Sequence, residues 1–241
     1  MSERVAIYDT TLRDGMQREG LSLSVGEQLA VAVRLAEYGI EYLEAGFPAS
    51  NPKYGELFGL LEREDLGDTR LAAFGMTRRR GVAAPDDPAM RGLAESFAPV
   101  ITIVGKTWDL HIEKVTRVSR EENLRMIEES VAFLVGEGKE VVYDAEHFFD
   151  AFAAHPDYAL DCLRAAEAGG ARWITPCDTN GAPMPTRLAA AMACVRPALP
   201  AASPATPTPD HADFPLATTA PTASPTPPSP PRLPSTHHTT T

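Results

Sequence analysis

Some of the side chains able to do acid–base or ligand chemistry in this 241-residue chain recur in short polar and glycine-rich stretches. They fall into six short clusters: Asp9 to Gln17, Glu44 to Pro48, Gly75 to Arg79, Gly105 to His111, Asp144 to Asp150 and Asp178 to Gly181. Between them the clusters supply carboxylates, imidazoles, guanidinium groups and a lysine, the groups that move protons and stabilise developing charge. One such cluster reads as an ordinary solvated turn. Six in succession, each just behind a β-branched apolar run, point to one shared site.

The apolar runs are the elements that must position these clusters. Candidate strands are 4–8, 40–45, 70–75, 100–104, 140–144 and 172–176. They recur roughly every 30 to 40 residues, the pitch of a strand–loop–helix–loop unit, so the sheet is expected to be parallel. The intervening helices carry start and stop signals. Ser24 and Glu27 form a capping box, and Ser119 and Glu122 repeat it. Gly39 suits a left-handed C-terminal position, and Pro156 suits the first position of a helix ending near Gly169 and Gly170. Loops at the C-terminal ends of parallel strands are where a (β/α)8 barrel builds its active site. A doubly wound open sheet is the alternative, but no glycine-rich phosphate fingerprint follows the first strand.

Net charge is −11, which argues against nucleic-acid and anionic-membrane partners. No apolar run is long enough to span a bilayer. The opening MSERVAIYDTTLRDG has neither the basic nor the apolar region of a signal peptide. Cys162, Cys177 and Cys194 have no metal-like spacing and read as reduced thiols, so a cytoplasmic location is expected. Composition changes near residue 197. Of 22 prolines, 13 lie in the last 45 residues, where Ala, Pro, Thr and Ser fill 35 positions. Such a segment buries too little apolar surface to offset the entropy of ordering it. The expected organisation is a globular domain over 1–196 and a disordered tail over 197–241.

The run Asp9-Thr-Thr-Leu-Arg-Asp-Gly-Met-Gln17 resembles the opening motif of the isopropylmalate, homocitrate and citramalate synthase family, within the pyruvate-carboxyltransferase-like barrels that include hydroxymethylglutaryl-CoA lyase. Four later blocks are similar to the citramalate synthase branch: Phe74 to Arg79, Gly105 to His111, Tyr143 to Asp150 and Cys177 to Gly181. The resemblance implies a TIM-barrel acyltransferase of amino-acid (isoleucine) biosynthesis that condenses acetyl-CoA with a 2-oxo acid, pyruvate in this branch. It also implies a divalent metal ion (Mg, Mn or Zn) and, in full-length relatives, a homodimer. By the same resemblance Asp14 is a metal ligand and Arg13 polarises the ketone. Gln17 steadies the loop or the oxo acid, and Thr179 binds the oxo-acid carboxylate. Glu146 and His147 are candidates for the base, and the sequence does not choose between them. Lys106, as a partner of a CoA phosphate or a carboxylate, and His111, at the site mouth, are further candidates for binding substrate. The competing readings are structural: a surface ion pair for Arg13 and Asp14, a turn cap for Glu146, local hydrogen bonds for His111 and His147, and a solvated head for Lys106. Cys177 reads as a small buried side chain, because no adjacent base is evident.

One departure from the family pattern bears on activity. The His-x-His pair that completes the family's metal site occurs nowhere in the sequence. The expectation is a chain truncated or frame-shifted before strands seven and eight, and inactive on its own. Ala, Pro, Thr and Ser all have codons with cytosine in the middle position, so a slipped frame in a GC-rich gene near residues 196–206 would write such a tail. A genuine low-complexity linker is the alternative. Isopropylmalate synthase, homocitrate synthase and a lyase on the same barrel are the rival activities. Translating the gene in its other two frames discriminates the tail hypotheses: a His-x-His-Asn-Asp segment is expected, and its absence excludes the slip.

Overall fold

The computed structural model of the chain describes residues 6–181 and 183–199, together with the backbone of 203–204 and 208–209. Six parallel strands follow one another in sequence order: β1 (Tyr8–Asp9), β2 (Tyr42–Glu44), β3 (Arg70–Met76), β4 (Val100–Lys106), β5 (Glu140–Glu146) and β6 (Trp173–Asp178). Each pairs only with its sequence neighbours along this run, so the chain never reverses its winding direction as a doubly wound sheet does. The connections carry α1 (Val25–Glu37), α2 (Pro52–Leu61), α3 (Pro88–Glu95), the single turn α4 (Asp109–His111), α5 (Arg120–Gly136), α6 (Phe148–Ala154) and α7 (Pro156–Ala168). Helix α8 (Pro185–Ala198) follows β6.

Alternation along the strands separates two faces. Leu43, Leu71, Ile101, Val141 and Ile174 join the large core with the apolar faces of the helices. The alternate set Tyr42, Ala72, Val100 and Val142, with Ala6, Tyr8 and Trp173 against it, forms a second cluster containing no helical residue. Helices therefore cover one face and side chains alone fill the other. Contacts across that second face show that it is concave. The Tyr42 hydroxyl donates to Glu140 Oε1 at 2.9 Å, and Tyr42 meets the Trp173 ring edge-on at 6.4 Å. β2 and β5 stand three strand spacings apart, about 14 Å in a flat sheet. Only a curled sheet brings these groups together, so the fold is an incomplete (β/α)8-type barrel.

The local signals behave largely as expected. The Ser24–Glu27 box forms both of its bonds, and Gly39 adopts φ 78° beyond α1. The second box forms only in half: Ser119 Oγ accepts from Glu122 N, but the Glu122 carboxylate goes to Arg78 and Arg125 instead. Arg78 is 5% exposed and draws in the carboxylates of Glu122 and Glu129, because a buried guanidinium needs them.

The segment expected to lack regular structure departs from that expectation at four described residues. Ser203–Pro204 pairs with Trp173 and Ile174, and Thr208–Pro209 pairs with Cys177 and Asp178, both parallel to β6. An exposed strand edge offers unpaired backbone groups, and these short segments satisfy part of that edge. The expected boundary at 196/197 falls inside α8. The remaining expectations for 1–5, 200–202, 205–207 and 210–241 lie outside the described residues. No helix among the described residues is long and apolar enough to cross a membrane.

Glu140 ties the N-terminal ends of the strands together on the concave face through Arg70, Tyr42 and Trp173. Burial alone would raise its carboxyl, but the Arg70 guanidinium and the Tyr42 hydroxyl outweigh burial and hold it below the ordinary glutamate value. A depressed folded value contributes stability above the unfolded value of about 4.3 and loses it as pH falls through the folded one. Glu140→Gln should therefore cost on the order of 1 kcal/mol at pH 7, a small figure because Arg70 is 39% exposed. The difference from the parent should shrink as pH falls below the unfolded value of about 4.3 and vanish only below the lowered folded value, as checked by urea denaturation across pH.

Candidate active site

All six strands run the same way, so the loops after them open at one end of the sheet. Two groups of side chains gather there.

The first group forms around the loop after β1. Asp9 Oδ1 accepts from Thr11 N at 2.9 Å, and Thr10 O accepts from the backbone of Arg13, Asp14 and Gly15. This tight turn sends the Arg13 side chain onto the concave face. Its Nε donates to Glu44 Oε1 at 2.5 Å, its Nη1 lies 3.1 Å from Asp14 Oδ1, and its guanidinium stacks 4.2 Å from the Phe74 ring centre. Glu44 is fully buried, and its other oxygen accepts from the Tyr8 hydroxyl at 2.7 Å. Tyr8 in turn bonds the Thr102 hydroxyl of β4. Burial disfavours charge on Arg13, yet the Glu44 carboxylate outweighs it, with Asp144 and Asp14 adding, and the guanidinium lies above the ordinary arginine value. Burial, then Glu44, pushes the Tyr8 phenol well up, so it remains a donor.

The second group stands at the ends of β4, β5 and β6. Lys106 and Glu146 are register partners at the last positions of their strands, and Lys106 Nζ donates to Glu146 Oε2. The turn α4 and a π-helical stretch at Ile112–Thr116 follow β4, and they bring His111 Nδ1 to 4.0 Å from Glu146 Oε2. His147 takes the left-handed conformation, φ 55° and ψ 32°, between β5 and α6. Its N–H donates to Thr179 Oγ1 at 3.0 Å, and its Nδ1 lies 3.0 Å from Asp150 Oδ2, which also accepts from Asn180. The His111 and His147 rings meet edge-to-face at 4.5 Å, with Trp108 beside both. Burial, followed by the neighbouring His147, lowers the His111 value, and Glu146 offsets this in part.

The sequence-derived residues thus separate. Arg13 and Asp14 sit in the first group. Lys106, His111, Glu146, His147 and Thr179 meet in the second. Gln17 ends a 3-10 turn and is exposed, in neither group. Cys177 is buried and donates to Thr175 O. The sequence reading placed Glu44 and Asp150 in its clusters without giving them a role, and it missed Tyr8 and Thr102. The signal for Glu44 was its place two residues after Tyr42 within a strand, on the same face.

The resemblance places a divalent cation on Asp14. Among the described residues, the one group of three His, Cys, Asp or Glu side chains arranged to hold an ion is His111, Glu146 and His147, and Asp14 is not in it. The donors around Asp14 among the described residues do not fit such an ion.

Replacing Glu44 would strand the Arg13 charge. Glu44→Gln should destabilise the chain by about 3 kcal/mol, the lower end for breaking a buried pair because Asp14 remains beside the guanidinium. Denaturant melts of the parent and variant measure this; a change below about 1 kcal/mol would mean that solvent reaches Arg13.

The HMGL-like family model matches residues 4–224. An (R)-citramalate synthase of Aquifex aeolicus (strain VF5) is 45% identical over 185 residues, covering 77% of this chain and 35% of that protein. The (R)-citramalate synthase of Geobacter sulfurreducens is 46% identical over 184 residues, covering 76% and 35%. A 2-isopropylmalate synthase of Synechococcus sp. (strain CC9605) is 33% identical over 202 residues, covering 82% and 36%. The chain therefore spans 35% of the length of the first of these relatives. The crystal structure of hydroxymethylglutaryl-CoA lyase from Pseudomonas aeruginosa superposes with a TM-score of 0.66 at 15% identity, over 82% of this chain and 65% of that one. The HMG-CoA lyase from Brucella melitensis gives 0.64 at 18% identity, over 84% and 71%. With six sequential parallel strands, both groups of polar side chains at their C-terminal ends, and a family match across most of its length, the chain belongs to the HMGL-like family.

Proposed function

We propose that the chain carries the strand-end chemistry of a citramalate synthase, joining the acetyl group of acetyl-CoA to pyruvate and releasing CoA, in isoleucine biosynthesis in the cytoplasm. The observation that carries this reading is the identity of 40–46% to five proteins named (R)-citramalate synthase. The 2-isopropylmalate synthases, at 33–35%, are more distant.

The reaction has a simple balance. A base removes a proton from the acetyl methyl group, and the resulting carbanion equivalent attacks the ketone carbon of the oxo acid. The ketone oxygen becomes an alkoxide and takes a proton, and water then cleaves the thioester to give citramalate and CoA. Arg13 suits the alkoxide: its charge is fixed by Glu44, so little reorganisation is needed as negative charge develops. Of the two base candidates, Glu146 is held by Lys106, whereas His147 has its Nδ1 oriented by Asp150 and turns its Nε2 away from that bond. An imidazole oriented by a carboxylate is the usual arrangement of a positioned base, and we assign proton removal to His147. The Thr179 hydroxyl accepts from His147 N–H and keeps its own proton to donate to the oxo-acid carboxylate.

Thiol release from acetyl-CoA with a panel of 2-oxo acids, measured on a version of the chain with its reading frame restored, tests the reading, because the 241 residues alone lack the His-x-His pair. Pyruvate should support the fastest release; a preference for a longer oxo acid, or cleavage without one, would redirect the assignment. Arg13→Lys should lower kcat about 10²- to 10³-fold, because a point charge cannot keep the Glu44 bond and reach the alkoxide together. His147→Gln should cost about 10²- to 10⁴-fold and remove the imidazole limb of the pH–rate profile, whereas a base role for Glu146 would leave that limb in place.

A further inference from the structure

We propose that His111, Glu146 and His147 form a zinc site at the ends of β4 and β5, distinct from the Asp14 position. One ligand atom from each lies within 4.8 Å of the other two. Zinc bonds of about 2.1 Å set tetrahedral ligands about 3.4 Å apart, so small side-chain rotations close the site. Two further observations point to a cation. His111 Nδ1 is buried and has no hydrogen-bond partner, an orphan nitrogen turned toward Glu146. His147 Nδ1 is taken by Asp150, itself held by Asn180, which leaves Nε2 as the ligating nitrogen. A carboxylate behind a histidine fixes its tautomer and orientation in metal sites. Two nitrogens and one carboxylate suit zinc over magnesium, and three protein ligands leave the fourth position open.

Lys106 places its ammonium on Glu146, where the ion would sit. Zinc and Lys106 therefore compete for one carboxylate. Binding rests on this geometry alone. Its consequence rests on the proposed function: zinc would occupy Glu146 and the assigned base together and so inhibit turnover.

The test is calorimetric titration of the 241-residue chain with Zn²⁺, with Co²⁺ absorption reporting coordination geometry. Other histidines stand at 155, 211, 237 and 238, so the readout is the difference from the parent. The parent should bind one equivalent that is lost in His111→Gln. Asp150→Asn should weaken it about 10- to 100-fold. Lys106→Met should tighten it, an effect that a merely structural lysine would not produce, and Asp14→Asn should leave it unchanged. Circular dichroism confirms that each variant folds; where His147→Gln does not, His111→Gln and Lys106→Met carry the test. Equal zinc binding by parent and His111→Gln, or weaker binding by Lys106→Met, overturns the site. Zinc binding by the 241-residue chain, together with no CoA release from any oxo acid by a version with its reading frame restored, would instead refute the proposed function and leave the site standing.

Discussion

On the concave face of this sheet no helix among the described residues covers a polar group, so each charge there is met by another strand or by a loop. Glu44 illustrates the consequence. It is fully buried, and a carboxylate removed from water costs several kcal/mol unless paired and hydrogen-bonded. Its two oxygens are met by Arg13 and by Tyr8, the first from the loop after β1 and the second from β1 itself. The loop cannot relax without leaving that carboxylate unpaired. The position of Arg13, and of Asp14 beside it, is therefore a consequence of where β2 places Glu44.

The same rule orders the rest of the face. At the N-terminal ends of the strands, Glu140 gathers Arg70, Tyr42 and Trp173. In the middle, Glu44 gathers Arg13 and Tyr8. At the strand ends, Glu146 takes Lys106. Each carboxylate draws partners from other strands or from a strand loop, and each such bond helps to hold the curl. Sheet shape and site chemistry share these interactions, so a change at one affects the other.

The strands and helices were legible because apolar spacing and caps are local. The expected strands at 100–104 and 140–144 extend only two residues further in the fold, and α7 begins at Pro156 as expected. The clusters behind the strands were legible for the same reason, since parallel strands put every such loop at one end. What could not be read is what depends on curvature. Nothing in the sequence places Tyr8 beside Thr102, 94 residues away, or shows that Arg78 will take Glu122 from its capping box. Gln17 sits in the most recognisable motif of the chain, yet its 3-10 turn leaves it in solvent. Motif membership marks a loop; the direction of each side chain is set by the turn that follows.

His147 shows how that direction is fixed. A left-handed conformation costs a non-glycine residue roughly 1–2 kcal/mol. The turn it makes starts α6 at once and sends Phe148 into the core, where it is fully buried. Burying a phenylalanine contributes about 1.5–3 kcal/mol, enough to offset the strain. The backbone N–H at the turn is taken by Thr179 from beyond β6, so the strained residue is clamped from the neighbouring strand. With the backbone held in this way, Asp150 one turn along α6 can reach Nδ1, and the ring is set against His111. The imidazole's orientation follows from an apolar anchor, a hydroxyl and a carboxylate on three different elements, and the sequence motif records only their order.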